Sequence, residues 1–425
     1  MITVNINTFQ YDIGIKDGFN EAYYDKFFKL DRTTLKENGH LEYILKIYSN
    51  GALLDSNTNQ AYHPPLNHII LASFIKILDC FGASNKFKIE ALEFPSIIYS
   101  ILIIMVIYKI MKEIGLSSKQ IILPISIIIF HPLFIFMSRL INNDNLVILF
   151  SLVSILYLIK WYKNPTYRNT IILALAIGFG GMTKTSIVVM VIPLLFTYMK
   201  KIIESVDDSK LIKRIILEGL IFSCISLPLI LWYPIRNAIK FGQPPFSIVT
   251  ASETLKVAST NFKDRWILNG ELFNNLLMQN ASNVWAYVIN SSIAFMVEAT
   301  IIPKYISLVL KLLSVILILI SFIGILKYTK TQENKKLLYI LLTTYFAWII
   351  GFIYFNISLP YSCTMHSRYI VVSIIIGIIY IGIFYNNIKS PILKNLLKIL
   401  IVLFEIISII LVLYLIIKLK TLLGV

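Results

Sequence analysis

Ionisable and amide side chains collect at a few places where apolar runs begin or end. They are Asp12 in Gln10-Tyr11-Asp12-Ile13-Gly14, His40 in Gly39-His40-Leu41-Glu42-Tyr43, His63 in Tyr62-His63-Pro64-Pro65-Leu66, and the set Arg139-Leu140-Ile141-Asn142-Asn143-Asp144. Thr183-Lys184, Arg236-Asn237 and His366-Ser367-Arg368-Tyr369 complete the series. Charges beside hydrocarbon are costly, so such groups face a protein interior or an aqueous cavity, where they pair or work. The chemistry open to carboxylates, imidazoles and cations there is proton transfer and the holding of negative charge. The two prolines after His63 fix their own φ and push the preceding residue into an extended conformation, so His63 is held at a defined angle before a helix starting near Leu66.

The elements that must position these groups are membrane-spanning helices. Hydrophobic residues make up 57% of the chain and charged residues 15%, and a helix needs roughly 20 apolar residues to cross a bilayer. Ten spans are predicted, at Phe94–Met111, Ile121–Met137, Leu146–Leu158, Ile171–Met182, Ile187–Met199, Ile215–Tyr233, Ile306–Leu326, Leu337–Phe355, Tyr369–Tyr385 and Leu396–Leu419. The three between Leu146 and Met199 are too short to cross unaided and need a bundle around them. Basic residues fall in every second loop, near Lys109–Lys119, Lys160–Arg168, Lys200–Arg214, Lys327–Lys336 and Lys389–Lys398, which places those loops in the cytoplasm. The alternate loops, and with them the polar groups above, then lie outside around one wet cavity. The net charge of +16 is a consequence of this topology and calls for no nucleic acid.

The registration leaves the apolar run Leu66–Gly82 as a helix lying at the outer interface, with Lys76 and Asp79 interrupting its apolar surface. It also puts residues 1–65 outside with no span ahead of them, so a first transmembrane helix is expected to be missing, through a start codon placed too far downstream or a trimmed coding sequence. The expected organisation is a first outer loop with interfacial helices (1–93), a transmembrane bundle (94–233), a long outer loop (234–304) and C-terminal transmembrane helices (305–425). Cys80, Cys224 and Cys363 offer neither a metal-ligand spacing nor an obvious disulfide.

In order and placement these motifs resemble the C-type (GT-C) glycosyltransferases that use polyprenyl-phosphate sugars, including the protein O-mannosyltransferases and aminoarabinose transferases. The markers run from Asp12 through His63-Pro64-Pro65-Leu66, Arg139-x-x-Asn-Asn-Asp144, Met182-Thr183-Lys184 and Tyr233-Pro234-x-Arg236-Asn237 to Ser367-Arg368-Tyr369. The resemblance implies an all-α polytopic membrane protein, a GT-C-like bundle with an extracytoplasmic cap of loops and interfacial helices. It implies transfer of a sugar from a polyprenyl-phosphate donor to a hydroxyl of an acceptor protein, lipid or polysaccharide, on the outer side of the plasma membrane. A composition rich in Ile, Lys and Asn is that of a low-GC bacterium.

In such a reaction Asp12 is the candidate base, and inversion in one step is expected. Arg236, Arg368 and Lys184 are candidates for a phosphate clamp, with His40, His63, Arg139, Asp144 and His366 as further substrate-binding candidates. Competing readings stand beside these. Glu21, Asp25 and Glu42 compete with Asp12; His63 could cap the helix after it; Asn142-Asn143-Asp144 could cap the span near Leu146; Arg368 and Lys184 could be interfacial anchors; and His131 reads as a buried, satisfied histidine. The sequence departs from the family in the long acidic stretch Lys16–Asn38 and in having His63 where relatives carry lysine. A divalent cation beside a first-loop acid is possible in this chemistry, but no ligand set is assigned. The alternative function is a transporter or flippase of lipid-linked sugars, which would show inverted repeats and broken helices at the midplane.

Overall fold

A chain this apolar satisfies its backbone polar groups within helices. Among the residues described by the computed structural model (40–54, 63–242, 265–266, 283–294, 303–328, 335–360 and 362–423) there are helices and turns and no strand. Asp12, Glu21 and Asp25, and most of the outer loop expected between 234 and 304, lie outside the described residues.

Two short helices come first. Helix α1 (His40–Asn50) packs on α2 (Leu66–Cys80) around Tyr43, Ile44, Leu71 and Ile75, and Ile89 and Leu92 close the same small core. Helix α2 is the run expected at the interface. Its 15 residues span about 22 Å, short of the roughly 30 Å hydrocarbon. Asp79 ties the group together, accepting from Tyr48 Oη at 2.6 Å and pairing with Lys88 Nζ at 2.7 Å. Burial raises the Asp79 carboxyl pKa, and the Lys88 and Tyr48 contacts outweigh this to hold it below its ordinary value.

The bundle follows: α3 (Asn85–Ala91), α4 (Glu93–Glu113), α5 (Ser118–Phe130), α6 (Pro132–Met137), α7 (Asp144–Lys163) and α8 (Tyr167–Thr183). After a 3-10 turn at Thr185–Met190 come α9 (Val191–Glu204), α10 (Ser209–Phe241), α11 (Val284–Ala294), α12 (Lys304–Tyr328), α13 (Lys335–Ser358), α14 (Val371–Asn387) and α15 (Pro391–Leu423). Eight stretches among the described residues are long and apolar enough to cross a membrane, so the protein is an integral membrane protein.

Two expected spans are not among the eight. Ile121–Met137 is broken at His131, which takes an extended conformation (φ −69°, ψ 127°) before Pro132 and uses Nδ1 to accept from Leu133 N at 3.2 Å. His131 is thus a buried, satisfied histidine, and the prolyl ring that cannot continue α5 starts α6 instead. Helix α8 has 17 residues. Two spans expected to be too short are not. Asp144–Lys163 and Thr185–Glu204 have 20 residues each, because polar ends such as Lys160-Trp161-Tyr162-Lys163 continue the helix past the point where hydropathy fades.

Helices α7 and α14 are the enclosed ones, each with 78% of its apolar window buried, against 17% for α10. Close approach of α8 to α10 depends on glycine. A Cβ at Gly181 would lie 2.6 Å from Ile230 Cγ1 and 3.3 Å from its Cα, so only a residue without a side chain fits. The basic loops gather at one end of the bundle: Lys163 Nζ lies 2.8 Å from Glu113, Lys336 Nζ lies 3.0 Å from Glu204, and Lys200 sits over the Tyr339 ring at 4.7 Å.

Candidate functional site

At the other end, four separate pieces of chain bring charged and imidazole groups together. Asp144 is the first residue of α7, Lys184 follows the last residue of α8, Arg368 lies in a short 3-10 turn before α14, and His40 opens α1. Lys184 Nζ donates to Asp144 Oδ1, and Arg368 Nε stands 3.8 Å from Asp144 Oδ2. All three side chains are nearly enclosed, at 12%, 8% and 5% exposure for Lys184, Arg368 and Asp144. Both cations also lie against Tyr369, with Lys184 Nζ 4.9 Å and Arg368 Cζ 5.0 Å from the ring centroid.

The amides expected to cap α7 do something else. The N-cap is Asn143, whose side chain makes no cap hydrogen bond and donates instead to Thr183 O at 3.1 Å, fixing the start of α7 to the end of α8. Asn142 does the capping: its Oδ1 accepts from Asp144 N at 3.0 Å while its Nδ2 donates to Asp144 Oδ2 at 3.0 Å. Asp144 itself therefore lines the site and does not cap. Its charge lies at the positive end of the α7 dipole, and Lys184 lies at the negative end of α8. Asn67 of α2 donates to Asn142 O at 2.8 Å and holds the small helical pair against this corner.

Histidines complete the cluster. The α2 N-cap is Pro65, with no side-chain acceptor, so His63 does not cap the helix; its ring lies 5.4 Å from that of His40. His40 Nδ1 is 2.9 Å from His68 Nε2, and the His68 ring stacks on Tyr43 at 4.3 Å. Burial holds the His40 pKa well below its ordinary value, and His68, His63, Lys184 and Arg368 act in the same direction. Burial, assisted by His63, pushes His68 down to about 3. His366 accepts from Arg368 N through Nδ1 at 3.1 Å, and burial again depresses it, Arg368 adding to the effect and Asp144 opposing it. Neutral imidazoles beside fixed cations form a place suited to an anion.

Residues 62–232 match the family of dolichyl-phosphate-mannose-protein mannosyltransferases. The resemblance read from the motifs is borne out over that stretch, which holds His63, Arg139, Asp144 and Lys184. Among solved structures the chain is similar to ArnT from Cupriavidus metallidurans in the apo state, at 13% identity and a TM-score of 0.48, over 85% of this chain and 56% of that one. For the same protein bound to undecaprenyl phosphate the values are 13%, 0.49, 85% and 57%. The chain spans a little over half the length of ArnT. No curated protein matches it.

Two further candidates have partners of their own. Arg139 donates through Nε to Glu93 Oε2 at 2.7 Å, with a second contact from its terminal nitrogen, an ion pair that fastens the loop before α7 to the start of α4. Arg236, near the end of α10, donates to Leu54 O at 2.8 Å and to Asn237 Oδ1 at 2.9 Å, and packs on Tyr233 and Phe241. A chain of contacts links it to the histidines, since Tyr233 Oη is 3.2 Å from Tyr43 Oη and the His68 ring stacks on Tyr43. Of the competing acids, Glu42 is described and is buried in α1. His68 and Glu93 escaped the sequence reading. The signal for His68 was the pair Asn67-His68 at the start of an otherwise apolar helix. Among the described residues no group of His, Cys, Asp or Glu is arranged to hold a metal ion. An apolar cavity of about 230 Å³ lies beside Asn145 and Val371, between Ile101 and Ile104 of α4, Ile128 of α5 and Ile148 of α7.

Proposed function

We propose that the protein is a membrane glycosyltransferase that moves a sugar from a polyprenyl-phosphate carrier to an acceptor hydroxyl on the extracytoplasmic side of a bacterial plasma membrane. The observation that carries this reading is the convergence of His40, His63, Asp144, Lys184 and Arg368 from distant parts of the chain, three of them (His63, Asp144 and Lys184) within the stretch that matches a family of lipid-linked sugar transferases. The basic loops, which collect at the opposite end of the bundle, support this side of the membrane.

The donor is a phosphodiester with one negative charge. When the anomeric carbon–oxygen bond breaks, the departing polyprenyl phosphate carries two, and the acceptor hydroxyl gives up its proton to a base. Stabilising the added charge is therefore the main electrostatic task. Lys184 and Arg368 supply fixed positive charge for it, Arg368 with a planar fork that suits phosphate oxygens. His40 supplies a neutral donor and His63 a second imidazole beside it, and Asp144 holds the cations apart and oriented. Asp12 takes the acceptor proton, with inversion at the anomeric centre. The apolar cavity beside Asn145 takes the isoprenoid tail.

The test uses full-length protein in lipid nanodiscs with a panel of polyprenyl-phosphate sugars, measuring carrier binding and sugar transfer separately. Lys184→Gln and Arg368→Gln are expected to weaken carrier binding by about tenfold or more each, the worth of a charge-assisted hydrogen bond. Wild-type protein that neither binds polyprenyl phosphate nor transfers any sugar of the panel would overturn the proposal.

A further inference from the structure

His68 is fully buried, its Nε2 lies 2.9 Å from His40 Nδ1, and its own Nδ1 has no hydrogen-bond partner among the described residues. A neutral imidazole carries one proton, on one nitrogen or the other. Orphaned buried N–H groups are rarer in proteins than under-used acceptors, so the proton of His68 belongs on Nε2, where a partner waits, and Nδ1 is left with its lone pair. The Nε2–H then donates to His40 Nδ1. An accepting Nδ1 fixes the proton of His40 on its own Nε2, because the bond made by one ring nitrogen decides the state of the other. The stack of His68 on Tyr43 and the neighbouring hydrogen bond from Asn67 to Asn142 hold the donor ring in place.

We infer that His68 is a positioning residue that locks His40 in the Nε2–H tautomer, making His40 a hydrogen-bond donor to the carrier phosphate and not a proton acceptor. That the anion is a phosphate rests on the glycosyltransferase reading; the tautomer does not. The assignment divides the labour of the site: His40 meets negative charge beside Lys184 and Arg368, and proton abstraction is left to a carboxylate.

The experiment labels histidine ring nitrogens with 15N in the full-length protein in nanodiscs and assigns His40 by difference with His40→Gln. The expected spectrum has an unprotonated Nδ1 and a protonated Nε2 for His40; a proton on Nδ1 overturns the inference. His68→Phe keeps a flat ring against Tyr43 but removes the donor, and is expected to give a mixture of His40 tautomers and undecaprenyl phosphate binding weakened about tenfold. His68→Gln, whose side-chain amide can donate from the same place, is expected to restore both. A His68→Phe protein with wild-type His40 shifts and wild-type binding would remove the positioning role. If His68→Phe does not fold, the wild-type spectrum and His68→Gln still decide. Wild-type protein with the Nε2–H tautomer but no affinity for undecaprenyl phosphate would sink the glycosyltransferase reading and leave the tautomer standing; affinity with the Nδ1–H tautomer would do the reverse.

Discussion

Asp144→Asn separates a structural ion cluster from a phosphate site. The substitution keeps the shape and an acceptor for Asn142 Nδ2, but it withdraws the negative charge facing Lys184 and Arg368. For Arg368, at 3.8 Å, the Coulomb attraction at an effective dielectric of about 20 is roughly 4 kcal/mol. Removing one partner of a buried pair costs about 3–5 kcal/mol in practice, because the cation left behind has lost its water. Without carrier, the variant should lose stability by that amount, a factor of about a hundred to a few thousand in the folded ratio, measured by unfolding in mixed micelles. A bound phosphate supplies the missing charge. Saturating undecaprenyl phosphate should therefore close at least half of the gap between variant and wild type. A gap of equal size with and without carrier would refute the reasoning, since the cations would then serve only the fold.

Asp12→Asn should reduce sugar transfer by about a hundredfold or more, the usual worth of a general base, while carrier binding by equilibrium titration stays at the wild-type level; loss of both would reassign the residue. Arg139→Ala leaves Glu93 buried and should cost about 3 kcal/mol of stability, with carrier affinity per folded molecule unchanged. Gly181→Val must displace Ile230 from α8 and should cost about 1–3 kcal/mol, read as a lower unfolding midpoint in detergent. Acid should destabilise the protein through its histidines. Unfolded His68 binds a proton below its ordinary pKa of 6.5, whereas native His68 does so only at about 3, so the unfolded state holds more protons and stability falls as pH drops through that window. The slope is about 1.4 kcal/mol per pH unit for each such group; His68→Phe should flatten the curve by one group, and parallel curves would contradict the assignment.

The helical class and the corner where the polar groups meet were legible because the signals are local. Apolar runs set the spans, alternate basic loops set their order, and Asp144, Lys184 and Arg368 each sit at or next to a helix end, where polar residues stand out against hydrocarbon. What sequence could not supply was partnership. The partner of Arg139 is Glu93 across the loop, at a helix start that hydropathy placed one residue later, at Phe94. His68 sits five residues after His63 inside a run assigned to the interface, and only the packing of α1 on α2 turns its ring toward His40. Span lengths failed for a related reason: α7 continues through Lys160 and Lys163, which reach out of the bundle to Glu113, where composition alone would end it earlier.

The same geometry explains how one ion pair can serve both the fold and an anion. Asp144 begins α7, where the unsatisfied N–H groups favour negative charge, and Lys184 follows α8, where the last carbonyls favour positive charge. The pair is thus aligned with two helix dipoles in the absence of carrier, and the bundle can be assembled without it. On the proposed function, an arriving phosphate shares the two cations that already hold Asp144 and adds to the network without dismantling it. On this account Lys184 and Arg368 change little in position on binding, and the free energy of carrier association comes from charge added to a preformed frame.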